Sequence, residues 1–373
     1  MNYTLTAGQY ELKKRLRVQV QHKHLPHAIF LSGDDGIGAL PLAHALAQHI
    51  LCQNPIVEQG GCETCSSCLQ AATWSHPDLH LVFPIIKSKD VRQSNDLRAA
   101  FRNEYKKNPY LLLDDWLACI DGEQKQPVIP VDEAHTVLHN LSLTSYEGRA
   151  KIVVVWQPAL MNTETSNKLL KILEEPPQHT YFILASGSPD ELLPTIVSRL
   201  QTWNCMGVSE QDMQNPALPY CNALTQQGMQ LSHGNLGLAL QLSKADDFKN
   251  ELLDDFQHFM RQAFRFNAQL AFTRIEAIVQ KGRSYQKRFL MYGLHIFRQA
   301  LLFREHYKAL SPHSKEELAF LEKFAAFINV KNCEPLAELF STHLYYVERH
   351  ANPKILFTDL LFLSTEHLNP KSK

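Results

Sequence analysis

Four short apolar runs, separated by stretches of helical periodicity, limit what this chain can become. They are Ala28-Ile29-Phe30-Leu31, Leu79-His80-Leu81-Val82-Phe83, Lys151-Ile152-Val153-Val154-Val155 and Tyr181-Phe182-Ile183-Leu184-Ala185. Runs of this length, rich in β-branched and aromatic residues, read as strands buried on both faces. An amphipathic helix is expected over 9–22, where Leu12, Leu16 and Val20 recur at four-residue spacing. Further helices are expected over about 40–51, 68–72, 95–106 and 112–120, and over Asp132–Leu141, Asn162–Glu175 and Asp190–Leu200. Strands alternating with helices up to about residue 203 predict an α/β fold with a parallel sheet covered on both faces. Residues 209–243 read as short helices, and those from about 247 onward only as amphipathic helices such as ELLDDFQHFMRQAF. A chain of 373 residues is too long for one ordinary core, so two or three domains are expected.

The turn after the first run is GDDGIGAL. Gly33 and Gly38, with Gly36 between them, have the spacing of the phosphate-binding loop G-x-x-x-x-G-K-[ST]. Such a loop cradles phosphate with backbone N–H groups, a lysine, and a hydroxyl that ligates magnesium. Here Ala39 stands at the lysine position and Leu40 at the hydroxyl position. Two readings stand: a plain strand-to-helix turn, or a phosphate loop that has lost its chemistry. Neither predicts triphosphate hydrolysis at this loop.

The acid that would hold magnesium is missing as well. Val131-Asp132-Glu133-Ala134-His135 contains DEAH, but Pro127-Val128-Ile129-Pro130 precedes it, and two prolines fit a central strand poorly. Asp132 reads instead as a capping or first-turn acid of the following helix. The buried strand that should precede an acidic pair is 151–155, and Trp156-Gln157 follows it. Lysine, hydroxyl and acid are thus lost together.

Of eight cysteines, four fall at Cys52, Cys62, Cys65 and Cys68. Four thiolates within so short a segment suit a closed tetrahedral zinc site of structural type. The alternative is a set of reduced, unliganded thiols. His76 is a possible substitute ligand, although beside Pro77 it reads better as a structural residue. The start, MNYTLTAGQYELKKRL, shows no apolar export stretch, and no segment approaches ~20 uninterrupted apolar residues, so a cytoplasmic protein without a membrane span is expected. A net charge of −1 argues against a stand-alone nucleic-acid binder. Ser198-Arg199-Leu200 closes the last helix before residue 203, and by itself Arg199 is an ordinary solvated arginine.

Taken together these segments resemble the AAA+ clamp-loader family of bacterial DNA polymerase III. Leu25-Pro26-His27-Ala28 leads into the loop, the four-cysteine insert follows the first helix after it, and His76-Pro77-Asp78 comes next. Ser142-Leu143-Thr144-Ser145-Tyr146-Glu147-Gly148 precedes the strand at 151. Asn167-Lys168-Leu169-Leu170-Lys171-Ile172-Leu173-Glu174-Glu175-Pro176-Pro177 is the most specific element, and Ser198-Arg199 closes the domain. The resemblance is strong over about 8–203, moderate over 209–243, and a matter of helical texture beyond. Two departures stand out. Leu200 replaces the cysteine of the family's Ser-Arg-Cys motif, and Gly237 stands where an arginine is expected near Gly234-Asn235-Leu236-Gly237.

The resemblance implies a RecA-like AAA+ domain over 1–203, a helical lid over 204–244 and a helical collar over 245–373. It implies a non-hydrolysing subunit that binds no ATP in its own site. In that reading Arg199, with Ser198, is an arginine finger acting in trans on ATP held by a neighbouring subunit. The partners implied are the gamma/tau-type ATPase subunits and the delta subunit, with the sliding clamp and primed DNA reached through the complex. The rival readings are an active gamma/tau-type ATPase subunit, a pseudo-ATPase scaffold outside replication, and a zinc-stabilised DNA-binding module.

Overall fold

The computed structural model describes residues 2–122, 125–147, 149–243, 246–305, 315–349 and 351–368. Chain contacts divide the molecule into two compact units, Met1–Leu242 and Ser243–Lys373. The expected boundary at 244/245 and Gly148 of the family motif lie outside the described residues.

The first unit is built on five strands: β1 (Ala28–Ser32), β2 (Leu79–Val82), β3 (Lys151–Trp156), β4 (Thr180–Ser186) and β5 (Gln201–Asn204). All pair in parallel, in the order β2-β3-β4-β1-β5. This is the parallel α/β module that the strand–helix alternation predicts. Its helices are α1 (Tyr10–Gln21), α2 (Ala39–Leu51), α3 (Ser66–Ala72), α4 (Arg98–Lys107), α5 (Leu113–Cys119), α6 (Val131–Ser142), α7 (Thr163–Glu174) and α8 (Pro194–Val197). Three short helices follow within or across its end: α9 (Glu210–Met213), α10 (Gln226–Leu231) and α11 (Leu236–Ser243).

The continuous apolar strands resolve into two alternating faces. Ile29, Leu31, Ile152, Val154, Trp156, Ile183 and Ala185 face one core with Leu42, Ala43 and Leu46 of α2. Ala28, Phe30, Val153, Val155, Phe182 and Leu184 face the other, with Val137 of α6, Leu169 of α7 and Ile196 of α8. Each Val, Leu, Ile or Phe among them contributes about 1.5–3 kcal/mol by leaving water. Helix α2 is buried at twelve of its thirteen positions, which its Ala- and Leu-rich sequence allows. Pro41 sits in the first turn, where its missing N–H breaks no helical bond.

Two expectations need correction. The helix expected over Asp190–Leu200 is a 3₁₀ turn at Pro189–Glu191 followed by the short α8. Pro194 is the reason: it holds Leu193 extended and restarts the helix at its own position. The chain then forms β5, which was not expected as a strand. Gln201–Asn204 is an edge strand with only Trp203 buried, so it lacks the apolar run that marks the other four.

Residues beyond β5 close a smaller core within this unit. Tyr110, Val208, Met213, Leu218, Tyr220, Leu236 and Leu240 pack with Ala7. Two tyrosine hydroxyls tie it to the chain start: Tyr110 Oη accepts from Ala7 N–H at 2.5 Å, and Tyr220 Oη donates to Leu5 O at 2.7 Å.

The second unit is helical throughout its described part: α12 (Asp246–Phe264), α13 (Ala268–Gln280), α14 (Arg283–Arg304), α15 (Lys315–Phe324), α16 (Val330–Glu348) and α17 (Pro353–Leu368). Phe256, Phe289, Phe297, Phe340 and Phe357 centre its core. Gly293 lets α14 and α16 approach: a Cβ there would stand 2.4 Å from the Phe340 ring. Among the described residues no helix is long and apolar enough to cross a membrane.

Candidate functional site

The loop 33–38 leaves the C-terminal end of β1, the edge of a parallel sheet at which such folds place ligands. Gly33 N–H donates to Ser186 O at 2.9 Å and Ser32 Oγ to Gly187 O at 2.8 Å, so β4 holds the start of the loop. Gly36 (φ +83°) and Gly38 (φ +121°) take backbone conformations that a side chain disfavours. Ala39 and Leu40 then open α2, both buried.

Protein groups fill the space above the loop. Gly237 N–H donates to Gly36 O at 3.0 Å. Asn235 Nδ2 donates to Asp35 O at 2.6 Å. The Asp35 carboxylate accepts from Gln157 Nε2 at 2.9 Å and from Leu113 N–H. Gln157 Oε1 in turn accepts from Ser186 Oγ at 3.2 Å. The cleft left among Gly33, Gly38, Ala39, Tyr110, Trp156 and Gln157 holds about 10 Å³. That is room for about one water molecule, against the ~300 Å³ or more of an ordinary ligand pocket.

Gly237 therefore has a geometric reason. A Cβ there would stand 2.4 Å from Tyr110 O and 2.8 Å from Gly36 Cα, so no side chain fits while the two backbones touch. Trp156 is the last residue of β3, and its buried ring meets Phe101 edge-on at 5.6 Å. Sequence reasoning picked out the loop, Trp156, Gln157 and Gly237. It gave no role to Asp35, Tyr110 or Asn235. Asn235 carried a partial signal, since Asn before Leu-Gly-Leu is a helix cap: its Oδ1 accepts from Leu238 N–H at 3.0 Å. The second bond, from its amide to Asp35, needs the fold.

The DEAH residues lie elsewhere. Asp132 is in the first turn of α6, as expected, and pairs at the surface with Lys87 at 3.3 Å. Glu133 is buried, accepts from Ser94 N–H, and is pushed above its ordinary carboxyl range by that burial. Lys151 Nζ donates to Asn140 O at 2.7 Å and so closes the C-terminal end of α6.

The fold brings Cys52, Cys62, Cys65 and Cys68 together, their four Sγ atoms all within 4.8 Å of one another. Cys62 and Cys68 Sγ are 3.9 Å apart. Tetrahedral zinc with Zn–S bonds of about 2.3 Å separates its sulfurs by about 3.8 Å, so the set fits such an ion. Cys52 caps α2, and Cys65 caps α3 with its Sγ accepting from Cys68 N–H at 3.4 Å. Cys62 and Cys52 accept backbone N–H groups from Cys65 at 3.4 Å and Cys62 at 3.2 Å. The Thr64 hydroxyl, with further donors, brings the Cys62 thiol down to about 5, whereas burial holds Cys52 and Cys68 up. These four could hold a metal ion such as zinc.

Surrounding groups hold the cluster in place. Arg149 Nη1 donates to Cys52 O at 2.6 Å, and Glu147 accepts from Ser67 Oγ and from Gln53 Nε2. Asp78 accepts from Tyr146 N–H at 2.9 Å and Ser145 Oγ at 3.1 Å. Behind the cluster, His44 Nε2 donates to Ala71 O at 2.7 Å. Its Nδ1 accepts from Tyr105 Oη at 2.9 Å, since burial brings the imidazole down to about 3 and keeps it neutral. His76 is buried outside the cluster, its Nδ1 accepting from Asp78 N–H at 3.1 Å.

Arg199 follows α8 in the turn before β5. Its Nη2 forms an ion pair with Glu174, the last residue of α7. Its Nη1 donates to Thr195 O at 2.5 Å and Ser198 Oγ at 3.2 Å. The side chain is 28% exposed and is not among the residues lining the loop cleft.

The family described as DNA polymerase III, delta subunit, matches residues 8–208. The DNA polymerase III subunit delta' of Haemophilus influenzae is 27% identical over 263 residues, covering 70% of this chain and 67% of that protein. That of Escherichia coli (strain K12) is 28% identical over 229 residues, 60% of this chain and 56% of that protein. The DNA polymerase III subunit gamma of Buchnera aphidicola subsp. Acyrthosiphon pisum is 27% identical over 185 residues, 50% and 40%. The chain thus spans from 40% to 67% of the length of these curated relatives.

Proposed function

The chain belongs to the DNA polymerase III, delta subunit, family, and from that premise we propose that it is a non-hydrolysing, delta-prime-type subunit of a clamp loader. It binds no nucleotide of its own. It supplies Arg199 in trans to ATP held by an adjacent gamma/tau-type ATPase subunit, with Ser198 beside it. With those subunits and a delta subunit it supports ATP-dependent loading of the sliding clamp onto primed DNA, in the cytoplasm. Residues 204–244 act as the lid, residues 245–373 as the collar that joins the ring, and Cys52, Cys62, Cys65 and Cys68 hold a structural zinc ion.

One observation carries this reading: the cleft at the loop, about 10 Å³, is filled by Tyr110, the Asp35–Gln157 bond and the Gly36–Gly237 contact. With Ala39 and Leu40 at the lysine and hydroxyl positions, this small cleft supports a subunit without nucleotide chemistry of its own. A subunit that keeps the fold but not the chemistry contributes through its surface, and an arginine finger is worth about 10³- to 10⁵-fold in phosphoryl transfer.

A second reading has one specific support, the similarity to a gamma subunit. As an ATPase subunit the isolated chain would bind and turn over ATP. Titration calorimetry of the isolated chain with ATP is expected to give no binding heat, and binding with turnover would favour this second reading. Reconstitution with the ATPase and delta subunits tests the first. Arg199→Ala is expected to lose the turnover of the neighbouring site when clamp and primed DNA are present. Rates equal to wild type would remove the finger from the proposal.

A further inference from the structure

Arg199 is held within its own chain by a carboxylate, and that pairing bears on when it can act. Glu174 ends α7, and Arg199 lies in the turn after α8, so the pair joins two elements that reach one surface. The pairing is incomplete in a specific way. One Nη meets Glu174, the other meets Thr195 O and Ser198 Oγ, and the buried Nε has no hydrogen-bond partner. A guanidinium is matched best by a bidentate anion such as a carboxylate or phosphate that takes two parallel N–H bonds. Glu174 is 47% exposed, so its hold on Arg199 is screened by water and open to exchange.

We infer that Glu174 is a resident competitor for the Arg199 guanidinium, occupying it until the phosphates of a neighbouring subunit displace the carboxylate. The inference rests on the proposed role of Arg199. Glu174 is a positioning residue: it touches neither nucleotide nor the reacting atoms. It keeps the guanidinium at the surface, against Ser198 and Thr195, and lowers the turnover of a ring in which the neighbouring phosphates are not yet in register. A more highly charged, bidentate phosphate outcompetes it when the subunits close.

The test uses the reconstituted complex and measures ATP turnover with and without primed DNA and clamp. Glu174→Gln keeps the size and removes the charge. Turnover without DNA and clamp is expected to rise about two- to fivefold, the range over which a partly exposed ion pair shifts an equilibrium, and the stimulation by DNA and clamp to shrink by the same factor. Glu174→Asp, which keeps the charge, is expected to lie near wild type. On an Arg199→Ala background Glu174→Gln is expected to change nothing further. Unstimulated turnover that stays level or falls in Glu174→Gln would overturn the inference, as would an effect that persists without Arg199. Arg199→Ala alone separates the two claims. If it has no effect the finger itself is refuted, whereas an effect of Arg199→Ala with none from Glu174→Gln refutes only the competitor.

Discussion

Gly237 and Asp35 show how single residues fill the space at a loop that lacks the phosphate-binding lysine and hydroxyl. Deleting a lysine and a hydroxyl from a phosphate loop would leave unpaired backbone donors and empty volume, and both are costly. In this chain Asp35 turns its carboxylate to Gln157 and to Leu113 N–H, and Gly237 brings α11 against Gly36. Gly237→Ala is accordingly expected to destabilise the chain by about 1–3 kcal/mol, because its Cβ meets backbone that cannot rotate away. Thermal unfolding measures this, and a melting temperature equal to wild type would show that α11 does not sit on the loop. The two glycines of the phosphate-loop spacing were legible in the sequence, as were the missing groups. The replacing bonds were not, since Asp35, Leu113, Gln157 and Asn235 are far apart in the chain.

Among the elements, the segment between α2 and the end of α3 depends least on its own secondary structure. Residues 53–65 run between two helices with one isolated bridge, Ile56 to Gly60, and are otherwise tied by the cysteine cluster, by Arg149 to Gln53 O, by Arg17 to Glu58 O and by Tyr3 N–H to Gln59 O. A metal ion held by these thiols would couple its binding to local folding there. The purified chain is expected to carry about one equivalent of zinc, and a chelator is expected to expose 53–65 to protease while the sheet stays intact. A fully loaded chain and a chelated chain with the same cleavage pattern would contradict this. The strands were legible because both faces of β1, β3 and β4 are apolar. The polar edge strand β5 was not, because β-pairing to β1 rather than burial makes it a strand. Helix α8 was overextended because the apolar spacing continues across Pro194, and the backbone rule at proline outweighs it.

At the scale of the whole molecule the chain divides into two compact units, one with apolar clusters on both faces of the sheet and beyond β5, the other centred on the phenylalanines of α12, α14, α16 and α17. Two-state unfolding is then not expected. Scanning calorimetry should give two transitions, or a calorimetric enthalpy well above the van't Hoff value. A single transition with equal enthalpies would mean that the units unfold as one. The sequence by itself determined the parallel α/β module, the cysteine set, the absence of a lysine, a hydroxyl and an acid at the positions a phosphate loop would use, and the helical remainder. Each of these rests on residue types at short spacing, where periodicity and local chemistry act. Only the tertiary structure decided that the loop is sealed by Gly237 and Tyr110, that Arg149 and Glu147 brace the cysteines, and that Glu174 holds Arg199. Those are meetings of groups distant in the chain, and no local spacing encodes which of many buried or charged partners the packed sheet will bring within bonding distance.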